Sequence, residues 1–546
     1  MATMPAEGRA PLAVPQTRPP MQWDAWGDAA HVRTLPAGAR VLAATLLPGR
    51  VHSIPRLPRA QLQLTAARLT AADMAALSAA AETTADDEAR AGHLGGKSTL
   101  DLLHRRGSAA QQAPDAVARP GSHDEVAALL RVCDDRGIAV IPFGGGTSVV
   151  GGVDPVIGAQ RAVIALDLAR TAGLYELDEL SRLATFGPGT TGPQAEELLG
   201  ARGYTLGHFP QSFEYATIGG FAATRSSGQA SRGYGRFDEL VHRLRIATPA
   251  GDLDLGRAPA SAAGPDLRQL FLGSEGAFGV ITEVTVRIRP TPAATAYAAW
   301  TFPDFAAGAG ALRDLVQRDI RTTVIRLSDE PETRVNAAIG GHLTRLRGAL
   351  AVATFEAETQ AAAAARRAEA TAVCAAHGGK DRGEEPARSW ERGRFASPAL
   401  RDALLDAGIL AETLETATTW TNLRPLKAAV TAALTETMAA QGTTPIVMCH
   451  ISHLYPAGAS LYFTVVAALT AQPEQQWARA KDAASRAIGA AGGTITHHHA
   501  VGRDHRPYLP DEIGPLGVEI LRAVKRTVDP HAIMNPGTLV PPAGTA

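Results

Sequence analysis

Three consecutive glycines at 144–146, followed by Thr147 and Ser148, are the residues in this chain whose types and spacing best suit a ligand. They follow Ile138-Ala-Val-Ile141, an apolar run that reads as a strand entering a turn. Without Cβ atoms, Gly144, Gly145 and Gly146 can take positive φ and let the main chain approach a bound group closely. Successive N–H groups in such a turn form an anion nest, and two hydroxyls add donors. The chemistry on offer is the gripping of a diphosphate; the same residues would also serve as an ordinary glycine-rich turn. Two better-known phosphate motifs are excluded. GGGTSVVG at 144–151 has Val149 where G-x-G-x-x-G needs glycine, and GHLGGKS at 92–98 is one residue short of a P-loop. The other conspicuous group is His497, His498 and His499. Neighbouring side chains alternate along a strand, so at most two of these imidazoles would share a face. Together with His450 and His453 they could also hold zinc or iron through imidazoles alone.

These residues need elements to hold them. Ala116-Val-Ala-Arg-Pro120 reads as a strand, and Ser122 with Glu125 reads as a capping box opening a helix over 126–134. Strands are expected at 162–166, 173–177 and 183–186, then a helix through Leu199. Two further glycine-rich stretches follow, Thr217 to Gly228 and Gly273 to Thr282, the second leading into an alternating strand, 283–289. From about residue 293 alanine-rich helices (302–318, 359–377, 423–441, 475–491) alternate with strands (322–326, 350–355, 445–450, 460–466), the pattern of a separate α+β unit. A helix over 62–80 is expected in the N-terminal part, and the charged stretch 381–394 reads as a mobile loop over the site.

The chain has 546 residues, 45% hydrophobic and 20% charged, enough for two or three cores. A net charge of −1 argues against a nucleic-acid binder. Cys133, Cys374 and Cys449 are far apart, with no disulfide or zinc spacing, which suits a reducing compartment. No apolar run reaches the length of a membrane span. Met1 to Pro20 is Pro/Ala/Arg-rich, the pattern of a disordered segment rather than a secretory signal. Arg56 to Leu64 fits a loose peroxisomal pattern but also a helix start after Pro58. The composition suggests a GC-rich bacterial genome, so the expected location is the cytoplasm, with a peripheral membrane contact to collect lipid.

Four pieces in this order, PFGGGTSVVGG, the P-Q-S…A-T-I-G-G…S-S-G segment, GSEGAFGVIT and the closing VDP-x-x-I-x-NPG, resemble the vanillyl-alcohol-oxidase-like flavoprotein superfamily. The resemblance implies an α+β fold: a two-subdomain PCMH-type FAD-binding domain, an inserted α+β cap and a C-terminal return. The corresponding boundaries are a disordered 1–20, an N-terminal helical section 21–111, the FAD domain 112–290, the cap 291–505 and the return 506–546. It also implies FAD contacts at Pro142, Gly144, Gly145, Gly146, Thr147, Ser148, Pro210, Ser212, Thr217, Gly219, Gly220, Arg225, Ser227, Gly228, Glu275, Gly276, Gly279, Val280 and Ile281. Some members attach FAD to a histidine in the first loop; Thr147 and Ser148 stand there, so FAD is expected to be non-covalent.

MQWDAWG at 21–27, TRSSG, Leu400-Arg-Asp402 followed by Glu412-Thr-Leu-Glu-Thr416, Ala459-Ser-Leu-Tyr-Phe463 and THHHAVG at 496–502 are similar to the alkyldihydroxyacetonephosphate synthase branch. That branch makes ether lipids: it exchanges the acyl chain of an acylated dihydroxyacetone phosphate for a fatty alcohol through a flavin N5 adduct, without net redox change. The likeness implies Tyr462, His498 and His499 as catalytic residues and Arg401, His208 and Arg503 as substrate contacts. The expected partners are a lipid-like small molecule and a second copy of the chain in a homodimer. The D-lactate dehydrogenase branch holds a metal, but Tyr462 stands where its second histidine would be expected and His498-His499 replaces its Glu-His pair. No metal is therefore expected, and an FAD-linked oxidase or dehydrogenase of a hydroxy acid or alcohol is the alternative activity. Two departures are the NPG ending, shared with many oxidases, and Ala500, where the branch has glycine.

Overall fold

Gly137 separates a helix from the strand that carries the glycine loop. The computed structural model describes residues 10–15, 20–31, 34–35, 52–339 and 347–542. The helix His123–Arg136 starts at Ser122, whose hydroxyl accepts the Glu125 N–H, and ends where Gly137 turns left-handed at φ +61°. The expected box is not closed on Ser122, because the Glu125 carboxylate takes the Gly121 N–H instead, at 2.7 Å. Ile138–Phe143 then pairs in parallel with Ala162–Asp167, which pairs in parallel with Ala116–Arg119. Glu82–Thr84 closes that sheet antiparallel. Layers cover both faces, which is why these strands read as unbroken apolar runs.

The second subdomain is a five-stranded antiparallel sheet in the order Gly251–Leu255, Val241–Thr248, Val280–Arg287, Leu183–Phe186, Leu174–Asp178. The helices Gly192–Gly200 and Ile218–Thr224 bury Leu199, Ile218 and Phe221 on it. The tail returns here: Leu509–Val528, kinked at Gly514, lays Leu509 and Val524 on the same core. The closing motif then joins the first sheet. Val140 N–H donates to the Ile533 carbonyl (2.9 Å), and Asn535 N–H donates to the Val140 carbonyl (2.9 Å). Asp529 shapes that turn by accepting the Ile533 and Met534 N–H groups.

The inserted half is an eight-stranded sheet. From its middle to one edge run Ala349–Ala357, Val324–Ser328, Ile446–Ile451, Gly458–Ala468 and Ile409–Thr419, each antiparallel to the next. Alternation along Gly458–Ala468 splits its side chains. Leu461, Phe463 and Val465 enter a core with the helices Leu423–Ala439 and Pro473–Ala490, while Tyr462, Thr464 and Val466 face the other way. Burying each such Leu or Phe contributes about 1.5–3 kcal/mol, so the apolar face fixes the register of the polar one.

Three expectations change. The helix expected over 62–80 is only Ala71–Ala80. Thr70 and Asp73 form a full capping box that starts it, and Gln63–Leu64 upstream pairs with Ala110–Gln111. The 381–394 stretch is not a loose loop: Glu385–Gly393 is a helix whose Glu391 accepts the Tyr297 hydroxyl at 2.7 Å. Of the segment expected to be disordered, residues 1–9 and 16–19 lie outside the described residues, while the Leu12 N–H donates to the Leu174 carbonyl at 2.7 Å. Pro58 is followed by a single 3-10 turn, Arg59–Gln61. No described helix is long and apolar enough to cross a membrane.

Candidate active site

The two halves enclose a cavity of about 510 Å³. One wall is the glycine loop. A methyl on Gly145 would collide with the Tyr215 carbonyl, and one on Gly144 would lie 2.5 Å from Thr217 Oγ1, because the second glycine-rich segment is pressed against the first. Thr217 also caps the helix Ile218–Thr224 by accepting the Gly220 N–H. Ser148 Oγ accepts the N–H groups of Val150 and Gly152 and so rounds the loop. Pro142, Gly144, Gly145, Gly146, Thr147 and Ser148 line the cavity, as do Pro210, Ser212, Thr217, Gly219, Gly220 and Ser227. Glu275, Gly276, Gly279 and Ile281 complete this side. Ser227 Oγ and Gln229 Oε1 are buried there without a hydrogen-bond partner. Bare main chain, small hydroxyls and unsatisfied polar atoms fit a dinucleotide such as FAD.

Other expected contacts point elsewhere. Arg225 does not line the cavity; it ends its helix in the left-handed conformation, and its guanidinium donates to the Leu272 carbonyl and the Gln269 side chain. Gly228 is a packing glycine, where a methyl would press on the Phe209 N–H. Val280 is fully buried and points away, because it is the strand neighbour of Ile281. His208 is a core histidine, hydrogen-bonded to Ser226 (3.1 Å) between Phe221 and Phe237; burial pulls its pKa down to about 3. Arg503 does not line the cavity; it pairs with Asp154 at 3.2 Å. The Glu275 side chain also serves the protein itself: it accepts the N–H groups of Val501 and Gly502.

The opposite wall is the polar face of the cap sheet. Register sets Tyr462 opposite His450 on one side and Glu415 on the other. The His450 ring stacks on Tyr462 at 4.7 Å between centroids. Arg326 donates to His450 Nδ1 (2.9 Å) and to Glu332 (2.7 Å). Burial opposes the charge on Glu332, yet Arg326 and His450 hold its carboxyl well below the ordinary range.

The triple histidine is not in a strand. Residues 497–499 form an irregular turn, so the limit of two imidazoles on one face does not apply. Glu415 sets the turn: its carboxylate accepts three consecutive N–H groups, from His497 (2.6 Å), His498 (3.1 Å) and His499 (2.8 Å), and the Thr496 hydroxyl (2.6 Å). Burial opposes that charge, but the facing imidazoles and Thr496 hold the Glu415 carboxyl well below its usual range. His498 and His499 line the cavity, with rings 5.9 and 5.6 Å from Tyr462. Burial depresses the pKa of both, so they are neutral near pH 7 and able to accept a proton. Burial pushes the Tyr462 phenol up to about 12, so it carries its proton. Arg401 lines the cavity from the helix Ser397–Asp406, and its Nε is buried without a partner.

Ring nitrogens of His453, His497 and His498 lie within 4.8 Å of one another, a grouping that three neutral imidazoles could offer to a cation. Here His497 Nδ1 contacts His498 Nδ1 (3.0 Å), and His497 Nε2 contacts the Tyr455 hydroxyl (2.7 Å). Sequence reasoning gave no role to Glu415, Arg326, Glu332 or Trp26. For Glu415 the available signal was one of two acids, with Glu412, in an otherwise uncharged strand; for Arg326 and Glu332 the pairing is set by tertiary contact.

Comparison with known proteins bears on the whole chain. Residues 291–539 match the family model described as FAD linked oxidases, C-terminal domain, and residues 114–254 match the FAD binding domain. The chain is 32% identical over 481 residues to the alkyldihydroxyacetonephosphate synthase of Trypanosoma brucei brucei, covering 84% of this chain and 78% of that protein. It is 30% identical over 478 residues to that of Dictyostelium discoideum, with the same coverage of 84% and 78%. A solved alkyldihydroxyacetonephosphate synthase superposes with a TM-score of 0.82 at 26% identity, over 94% of this chain and 98% of that one.

Proposed function

The chain belongs to the alkyldihydroxyacetonephosphate synthase family of FAD-dependent enzymes, and from that premise we propose that it exchanges the acyl chain of an acyl-dihydroxyacetone phosphate for a fatty alcohol. The observation that carries the reading is the convergence of Tyr462, His498, His499 and Arg401 on the cavity walled by the glycine loop. In the exchange the carbon–oxygen bond to the acyl group breaks, the fatty acid leaves with a proton, and the alcohol oxygen bonds to the same carbon and loses its proton. Tyr462, holding its proton, donates to the departing carboxylate. His498 and His499, neutral through burial, accept the proton from the alcohol. Arg401 presents a planar cation to the phosphate. Ile339, Leu400, Leu404, Ile446, Met448 and Val466 line the same cavity with apolar surface suited to a long chain. FAD, held non-covalently along the glycine loop, supplies the ring system for an exchange with no net redox change.

Anaerobic incubation with palmitoyl-dihydroxyacetone phosphate and hexadecanol tests this. Fatty acid and ether product should form one for one without an electron acceptor; turnover that needs an acceptor would instead support an oxidase. Tyr462→Phe should lower kcat by about 100-fold while FAD content is unchanged. Acid denaturation should release the yellow cofactor into solution. The His453–His497–His498 grouping favours one second reading, a zinc-like cation assisting the same exchange. Exhaustive chelation would abolish activity in that case and leave it intact under proton transfer by side chains alone. The reading also places a homodimer in the cytoplasm, touching a membrane surface to collect its substrate.

A further inference from the structure

Met21–Gly27 lies far from the glycine loop in sequence, yet it touches both halves of the site. The Gln22 N–H donates to the Gly27 carbonyl (2.9 Å), and the Gln22 side-chain amide reaches the same carbonyl and that of Trp26. The seven residues therefore close into a ring, with Gly27 at φ +78°. Two buried cations grip the ring: Lys97 donates to the carbonyls of Gln22 and Trp23, and Arg105 donates to that of Trp23 (2.9 Å). Burial and the neighbouring Arg105 charge hold the Lys97 amine well below its ordinary pKa. Such a pair persists in an interior only where acceptors surround it, and the ring supplies them.

The ring is tied at both ends. The Lys97 N–H donates to the Ser148 carbonyl (2.7 Å), which joins it to the glycine loop. The Trp26 N–H donates to Asp402 (2.5 Å), which joins it to the cap helix that carries Arg401. Arg401 in turn donates to the other Asp402 oxygen (3.3 Å) and to the Lys97 carbonyl. The Trp26 indole meets the Tyr215 ring edge-on at 5.6 Å and lines the cavity itself.

We infer that the Met21–Gly27 ring is a positioning element of the active site: through Trp26, Lys97 and Asp402 it sets the Arg401 guanidinium at the cavity wall, at a fixed offset from the Ser148 loop, ready for the substrate phosphate. The inference rests on the synthase reading. Arg401 has two of its nitrogens fixed by this frame, so the orientation of the third, Nε, follows from the ring rather than from the cap helix alone. A bidentate grip on phosphate depends on that orientation.

The test uses the full chain loaded with FAD and titrates dihydroxyacetone phosphate by calorimetry, alongside acyl-exchange kinetics. Asp402→Asn and Lys97→Met, which removes the amine that grips the ring, should each weaken binding by about tenfold and raise KM by more than they lower kcat, with FAD content unchanged. Trp26→Phe, which keeps the backbone N–H that Asp402 accepts and a ring against Tyr215, should stay near wild-type affinity. Wild-type affinity in both Asp402→Asn and Lys97→Met would overturn the inference, whatever happens to their thermal midpoints. If Asp402→Asn does not retain FAD, Lys97→Met carries the same comparison from outside the cap. A wild-type chain that shows no acyl exchange with palmitoyl-dihydroxyacetone phosphate would instead overturn the synthase reading beneath it.

Discussion

Two buried carboxylates hold opposite ends of one segment, and their pKa values are pushed in opposite directions. Glu415, from the cap sheet, accepts four hydrogen bonds from 496–499 and stays ionised. Glu275, from the FAD half, accepts only the N–H groups of Val501 and Gly502 among the described residues. Burial pushes its carboxyl up to about 7 against those two donors, with Asp504 adding like charge. Both acids are buried, so burial alone does not decide which is charged. The number of donors and the neighbouring polar groups decide it. The end that must place two imidazoles carries the firm anion, and the end that joins the loop to the FAD half carries the titratable one.

The largest expected effect comes from removing the charge at the firm end. Glu415→Gln leaves the fold but offers an amide to donors that need an anion, and charged hydrogen bonds are worth about 1.5–3 kcal/mol each. Turnover should fall by roughly 100-fold, as ~2.7 kcal/mol of misplacement implies; activity within threefold of wild type would erase the distinction between the two clamps. Next in size is a pH effect on stability. The native Glu275 keeps its proton where the unfolded chain has lost it, so stability is present below pH 4.5 and falls as pH rises toward about 7. The Tm of the wild type should drop across that window, and Glu275→Gln should remove that part of the slope. Equal slopes would mean that the carboxylate is ionised throughout. The smallest effect is in catalysis. The site histidines titrate below their ordinary value of about 6.5 and Tyr462 near 12, so kcat should stay flat from about pH 6.5 to 9. A limb inside that range would show the imidazoles to be better solvated than their burial implies.

The same contrast explains what could be read from the sequence. The FAD half is written in contiguous motifs, because main chain gripping a diphosphate needs glycines next to one another. Gly144 and Gly145 have no room for a methyl, and that constraint leaves a local mark. Within those motifs, facing was not legible: Val280 and Ile281 are adjacent, but only Ile281 reaches the cavity. Arg225 sits in a glycine-rich stretch as a helix end, not as a ligand. The cap site is assembled by register from Arg326, Glu415, His450 and Tyr462 on four strands. No window of sequence contains it, so Tyr462 was reachable only through resemblance and Glu415 was missed. His497 to His499 stood out by composition, but their geometry depends on an acid about eighty residues upstream.

The closing motif sets an order on synthesis. Asn535 donates its amide to the carbonyls of Gly152 and Glu275, and its partner at Gly152 lies 383 residues earlier. The bridge beside Val140 and these two bonds become available only after the whole inserted half has been synthesised. The cap can therefore begin to fold before the nucleotide half is complete.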